Sequence, residues 1–330
     1  MLPQKSLDLT SSLLIVIVNY RTPQLTIDCL KSLYPEVQAI PRTQVIVVDN
    51  NSGDRSVEQI QETINIQGWN NWVSILASNH NGGFAFGNNL AIRPILNSAS
   101  LPAYFLLLNP DTIVLSGALT SLVTFMNEHP KVGIAGSRLE SNDGTIQPSA
   151  FRFHSIASEF DRGLQLGIVT KLLSKWVVAR AIPTTQCQTD WVSGASLIIR
   201  PEVFESVGLM DEDYFMYYEE VDFCLQAKKM GWSCWYVPES RVIHLVGQSS
   251  GVDQPNSTPK RLPQYWFDSR RRYFIKNHGW WYAALADFLW LFGFISWKIR
   301  SVLQRKPDLH PPYLLKDFWQ NSVFVTRLIN

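Results

Sequence analysis

Four short apolar runs, at residues 13–18, 44–48, 72–77 and 104–108, alternate with helix-like stretches at 23–33, 57–66, 84–96 and 116–128, the last with Ser116 at its cap. Strands that alternate with helices must return by crossover, so the first half predicts parallel β-α-β units in a doubly wound α/β sheet. In such sheets ligands bind beyond the carboxyl ends of the strands. Four segments therefore share one rim: VNYR, VDNNSGD, SNHNGG and NPDT, each directly after a strand.

The charge pattern narrows the partners. The chain has 330 residues, enough for a large core, and 29 Lys and Arg balance 28 Asp and Glu. That balance argues against a nucleic-acid face, which needs clustered excess cations. The four cysteines form no CxxC pair, as in a reduced cytoplasmic protein with free buried thiols. The N-terminal apolar run is shorter than a signal peptide requires and reads as the first strand. A polar, proline-rich stretch at 248–263 reads as a linker.

The rim itself excludes two nucleotide-binding designs. Its first turn, VNYRTPQL, has no glycine fingerprint for a dinucleotide, and no GxxxxGK[ST] loop occurs in the chain. The phosphates of a nucleotide would need another counter-charge, for which a divalent cation is the obvious candidate. Asp49 ends the second strand, where it either accepts hydrogen bonds from a ribose or base or simply forms the turn. Asn81, the Gly82-Gly83 pair and Asn89 either bring backbone close to a flat ligand or make a glycine turn before a helix. Asp111 is sharper. The YFLLL strand reads as central, so Asp111 falls mid-rim, where one hard oxygen suits Mg2+ or Mn2+ shared with phosphates; capping a short turn is the alternative.

From Lys131 the alternation breaks. Two strand-like segments flank the turn at 141–144, and a gapped helical stretch covers 156–178. Gly194, inside WVSGASLII, reads as a bulge, a close ligand approach or a packing contact. The segment GLMDEDYFMYYEEVDFCLQAKKMGW ends in a helix; if that helix starts near Tyr218, then Glu220, Phe223, Cys224, Ala227 and Gly231 share one face. Glu220 then sits at the mouth of an apolar stripe, where burial raises a carboxyl pKa toward that of a general base. Glu219 and Asp222 read as solvated acids favouring the helix dipole. By spacing alone His244 is a satisfied core histidine, while His80, His129 and His154 read as surface residues.

Together VIVNYRT, VIVVDNNSGD, NGGFAFGNN, LLLNPDT, the WVSGAS to KKMGW segment and VIHLVGQSS resemble the inverting nucleotide-sugar glycosyltransferases of GT-A-fold family two, in its rhamnosyltransferase-like branch, across 13–247. The resemblance implies a Rossmann-like, mostly parallel sheet flanked by helices, with a nucleotide-sugar half at 1–130, an acceptor and catalytic half at 131–247, and a linker with a helical extension at 248–330. It maps a base- or ribose-contacting acid to Asp49, with Asn19, Tyr20, Asn81, Gly83, Asn89 and Asn109 as further donor-binding residues. Asp111 takes the last place of a DxD-type metal motif whose first two places hold Asn109 and Pro110. Glu219 and Glu220 match the acidic pair, Glu220 being the expected base where the family usually has Asp. Trp191, Gly194, Glu219 and Asp222 are expected toward the acceptor. His244 becomes a metal- or phosphate-facing residue, reversing its reading by spacing. An arginine often found six residues past the base is absent; the helix has Gln226, Lys228 and Lys229 instead.

The implied activity moves rhamnose or a similar sugar from a UDP- or dTDP-linked donor to a glycan or lipid-linked acceptor in cell-surface polysaccharide synthesis, with Mg2+ or Mn2+. Two rival readings stand beside it. A sugar nucleotidyltransferase would need a glycine-rich basic first loop, which is lacking; a degenerate glycan-binding membrane protein would hydrolyse no nucleotide sugar. The stretch at 280–299 is oily, Trp-rich and flanked by Arg270, Arg271, Arg272 and Lys276 before it and by Lys298, Arg300, Arg305 and Lys306 at or after its end. That composition predicts a helix lying in a membrane surface, with a buried or dimer-interface helix and a true span as alternatives. A cytoplasmic protein, peripheral on the inner face of the plasma membrane and able to form a homodimer, is the corresponding expectation.

Overall fold

The computed structural model describes residues 12–245 and 259–326, so most of the expected linker lies outside the described residues. Strands β1 (Leu13–Asn19), β2 (Gln44–Asp49), β3 (Val73–Ala77) and β4 (Tyr104–Leu108) pair in parallel in the order β3-β2-β1-β4. Helices α1 (Pro23–Ala39), α2 (Ser56–Gln67) and α3 (Gly83–Leu96) make the crossovers. All five residues of β4 are buried, and they alternate as a two-sided strand must. Leu106 and Leu108 join one core with α1 and α2, while Phe105 and Leu107 join the other with α3.

The second half departs from the mostly parallel expectation. After β5 (Thr112–Val114), α4 (Ala118–Glu128) and β6 (Val132–Glu140) come the short β7 (Ile146–Gln147) and β8 (Ala150–Phe151), then α5 (Ile156–Leu164) and α6 (Gly167–Leu172). There follow β9 (Cys187–Thr189), β10 (Trp191–Val192), β11 (Ser196–Ile199), α7 (Pro201–Val207), α8 (Glu219–Lys229) and β12 (Ser233–His244). The sheet continues β4-β11-β6-β12-β5, with β11 antiparallel to both neighbours and β12 parallel to β6 but antiparallel to β5. The sheet is therefore mixed.

Helix α4 corrects the expected cap. It starts at Ala118 behind Gly117, and its first amides, at Gly117 and Leu119, donate to the Glu36 carboxylate of α1 at 2.7 and 3.0 Å. A carboxylate at a helix N-terminus satisfies orphan N–H groups and complements the dipole, and here it comes from a distant helix in place of Ser116.

Of the C-terminal helices α9 (Gln264–His278), α10 (Trp280–Leu303) and α11 (Leu314–Gln320), α10 packs on α5, while α9 and α11 pack on α10. Gly163 and Gly293 allow the close approach of α5 and α10: a Cβ on Gly163 would lie 2.4 Å from the Trp290 carbonyl oxygen, and one on Gly293 would lie 2.7 Å from the Leu164 nitrogen. Buried Arg270 bridges the helices, donating to Glu159 at 2.6 and 2.9 Å and to Asp287 at 2.5 Å. His154 lies in the same cluster, 3.7 Å from Glu159 and packed on Tyr218, which corrects its surface reading. The expected membrane-facing cations ahead of α10 also have other duties. Arg270 and Arg271 are buried, and Arg272 and Lys276 hold Asp211. The four cysteines are free, as expected, with Cys187 half-buried and the others buried.

Burial pushes the Glu159 carboxyl up, but the guanidinium charges of Arg162 and Arg270 more than offset it and hold the group well below its ordinary value of 4.5. Its folded value is depressed, so its contribution to stability is present above pH 4.5 and is lost as pH falls below that. Glu159→Gln should lower unfolding free energy by about 3–5 kcal/mol, because it strands buried Arg270, and should flatten the acid limb of stability against pH. Urea unfolding at several pH values checks both; an unchanged midpoint would mean that Asp287 alone suffices for Arg270.

Candidate active site

The carboxyl ends of β1, β2, β4 and β12 open on a cavity of about 480 Å³, a size usual for small-molecule sites. Beneath its rim the first two strand ends are locked together. Asn19 donates to Asp49 at 2.7 Å and accepts from Thr26 at 3.0 Å, and Asp49 also accepts from the Ser52 hydroxyl and amide at 2.6 and 3.0 Å. Asn50 then reaches across to the Asn81 side chain and the Gly83 carbonyl, both at 2.9 Å, tying the second rim loop to the third.

Gly83 has φ +87°, and a Cβ there would lie 1.8 Å from the Phe215 carbonyl oxygen. The space that the glycine pair opens is thus taken by protein backbone: that carbonyl accepts from the Phe84 amide at 2.9 Å. This contact docks the segment leading to α8 against the donor-side rim. The segment is strained, since Tyr217 and Tyr218 both have left-handed φ, near 70°. Three ties fix it: the Phe215 carbonyl on Phe84, the Met216 carbonyl accepting from Ser269 at 2.9 Å, and Met210 bound in both directions by Asn89 at 2.7 and 3.2 Å.

The result presents two acids to the cavity. Burial raises the pKa of Glu219 well above that of a free carboxyl, and the charge of Glu220 raises it further; burial also raises Glu220. Glu220 accepts from the Gly194 amide, and Glu219 Oε2 and Glu220 Oε2 have no hydrogen-bond partner among the described residues. Elsewhere in the lining the antiparallel pairing of β5 with β12 sets Thr112 against His244, and His244 Nε2 lies 3.5 Å from Asp111 Oδ1. Asp111 is buried, and both residues line the cavity. A carboxylate oxygen and an imidazole nitrogen at this separation fit one divalent cation of the Mn2+ or Mg2+ kind. Among the described residues no group of three or more such ligands gathers, so the rest of a coordination shell would fall to phosphate and water.

Of the sequence-predicted residues, the cavity brings together Tyr20, Asn81, Gly83, Asn109, Asp111, Gly194, Glu219, Glu220 and His244. Asn19 and Asp49 lie just below it as corner residues, both buried. Three others are elsewhere. Asn89 is committed to Met210 and to Glu212, Trp191 stacks on Phe151 at 4.2 Å, and Asp222 is buried against Lys276 and Asn277, both at 2.6 Å. Neither Glu219 nor Asp222 is solvated, because α9 and the strained segment cover that helical turn. In place of the missing arginine, Gln226 and Lys229 bond Asn277 and Lys228 bonds Asp190, all facing away from the cavity. Sequence reasoning missed Asn50, Ser193, Phe215, Tyr217 and Tyr265. Asn50 was readable beside Asp49; Tyr265, on α9, had no local signal.

Residues 14–173 match the family model described as Glycosyl transferase family 2. The likeness to family 2 glycosyltransferases lies in those residues, and the fold around them is of the GT-A type. Over 253 residues it is 27% identical to the N-acetylglucosaminyl-diphospho-decaprenol L-rhamnosyltransferase of Mycobacterium tuberculosis, covering 73% of this chain and 78% of that one. It is 24% identical over 262 residues to the dTDP-rhamnosyl transferase of Shigella flexneri, covering 77% of each. Among solved structures, GalNAc-T7 with UDP, GalNAc and Mn2+ superposes with a TM-score of 0.59 at 17% identity, covering 94% of this chain and 55% of that one.

Gly83→Ala should cost about 1–3 kcal/mol or more, because a methyl group cannot coexist with the Phe215 carbonyl. Thermal melting tests this; a melting temperature equal to that of the parent would mean that the 215–218 segment moves aside freely.

Proposed function

We propose that the cavity binds a nucleoside-diphosphate sugar, of the dTDP or UDP type, and transfers its sugar to a hydroxyl of a glycan or lipid-linked acceptor with inversion. Rhamnose is the favoured sugar, since the relatives from Mycobacterium tuberculosis and Shigella flexneri are named rhamnosyltransferases. The observation that carries this reading is one cavity lined by Asp111 and His244 together with Glu219 and Glu220. Tyr20, Asn50, Asn81 and Asn109 would hold the donor, over the corner built by Asn19 and Asp49. Asp111 and His244 would hold a divalent cation, which when bound offsets charge on the diphosphate. Gly194 and the aromatic wall of Phe215, Tyr217 and Tyr265 would hold the acceptor, sugar faces packing on rings.

Glu220 is the proposed base. It accepts the acceptor O–H proton as that oxygen bonds to the anomeric carbon, while the bond from that carbon to the diphosphate oxygen breaks and its electron pair leaves with the nucleotide. Gly194 orients the carboxylate through its amide. Glu219, pushed up by burial and by the charge of Glu220, favours its protonated form beside the proposed base. Asn89 and Asp222 act at one remove, by holding the 208–218 segment and α9.

The first test is a thermal-shift series with UDP, dTDP and their sugars, with and without Mn2+ or Mg2+; stabilisation that needs both nucleotide and metal and disappears in Asp111→Ala supports the reading, and no shift with any of them overturns it. Glu220→Gln should keep donor binding and lower transfer by about 10²–10⁴-fold. Because burial raises the pKa of Glu220, transfer should fall as pH drops through that raised value, at a higher pH than an exposed carboxyl would give. A pH profile flat down to the ordinary carboxylate range would move the base to another group.

A further inference from the structure

Helix α10 leaves one face uncovered. Trp281, Leu285, Phe288, Phe292, Ile295 and Ile299 recur at alternating steps of four and three residues, and each is 45–82% exposed. The spacing puts them on a single stripe about 27 Å long. The patch is on the order of 500 Å² of apolar surface, within the range where the largest patch of a monomer is often functional. The opposite face is buried on α5 and α9, with Asp287 tied to Arg270, so the helix is held flat against the protein and does not cross a bilayer as an isolated span.

We infer that this stripe seats the protein in the plane of an anionic lipid bilayer. The charges around it select that occupant. Helix α6 starts close to the far end of α10, since Arg300 donates to the Leu164 carbonyl and Gln165 bonds His310 at 2.8 Å. Ile168, Leu172 and Trp176 are exposed there at steps of four, with exposed Lys171 and Lys175 between them. No acid occurs between Asp161 and Asp190. Past α10, Arg305 and Lys306 are exposed, and the one nearby exposed acid, Asp308, is paired with Lys298. An apolar stripe with Trp and a cationic end matches an interfacial helix drawn to negative headgroups. A second copy of the chain matches less well, because the exposed acid beside those cations, Asp308, is already paired with Lys298.

The test is co-sedimentation of the full chain with phosphatidylcholine vesicles, with and without phosphatidylglycerol. The parent protein should pellet with the mixed vesicles, less so as NaCl rises. The triple variant Phe288→Ser, Phe292→Ser, Ile295→Ser should bind at least about tenfold more weakly, with circular dichroism unchanged because the three side chains are exposed. Lys171→Gln with Lys175→Gln should weaken only binding to the phosphatidylglycerol vesicles. Equal binding by parent and triple variant, or none by the parent, overturns the inference, as does a dimer in sedimentation velocity that the triple variant splits, which would give the stripe to a second copy. Binding is measured without nucleotide sugar, so its failure leaves the transferase reading standing, and nucleotide-dependent thermal shifts of the triple variant should match those of the parent.

Discussion

Reversal of chain direction at one side of β4 organises the site. On the β1 side the pairing is parallel, so Asn19 and the loop after β4 reach the same rim; on the β11 side it is antiparallel, so the start of β11 meets the end of β4. The Asn109 amide donates to the Ala195 carbonyl at 3.0 Å across that junction. An all-parallel neighbour would have sent residues 193–195 to the opposite edge of the sheet, and the cavity would lack the glycine that orients Glu220. A second antiparallel pair, β5 with β12, brings His244 to Asp111. Both walls of the site thus follow from backbone pairing, before any side chain selects a ligand.

The first wall was readable in the sequence because its signals are local. Apolar period, strand-end polar residues and glycine position each need only a few neighbouring residues, and β1 to β4 and their crossovers sit close to where those patterns put them. The second wall depends on contacts between distant segments. His244 looked like a core histidine because its relation to Asp111 spans 133 residues (244 − 111). Asp222 looked solvated because Lys276 and Asn277, which cover it, lie on a helix beyond the linker. Tyr265 was invisible for the same reason. The cap of α4 failed similarly, since Ser116 is the right residue type but falls one position before the cap, which is Gly117, and the distant Glu36 takes the amides instead.

Strain before α8 and the acids that follow it belong to one device. Two consecutive left-handed tyrosines are costly, on the order of 1–3 kcal/mol each, and persist only where the surroundings over-determine them. Here those surroundings are Phe84, Ser269 and Asn89, from both sides of the cleft. The same enclosure that fixes the backbone shields Glu219, and Glu220 in part, from water and lifts their pKa values. Geometry and acidity are therefore set together, and a change that loosened the segment would relax both.

Helix α9 carries Tyr265 into the cavity on one turn, Arg270 into the ion cluster under α10 about a turn and a half later, and Lys276 onto Asp222 near its end. A single rigid rod thus touches the pocket, the seam beneath the outward-facing helix and the turn bearing the paired acids. Only Gly279 separates α9 from α10, so one nearly unbroken run of helix carries both a pocket-lining residue and the outward-facing stripe.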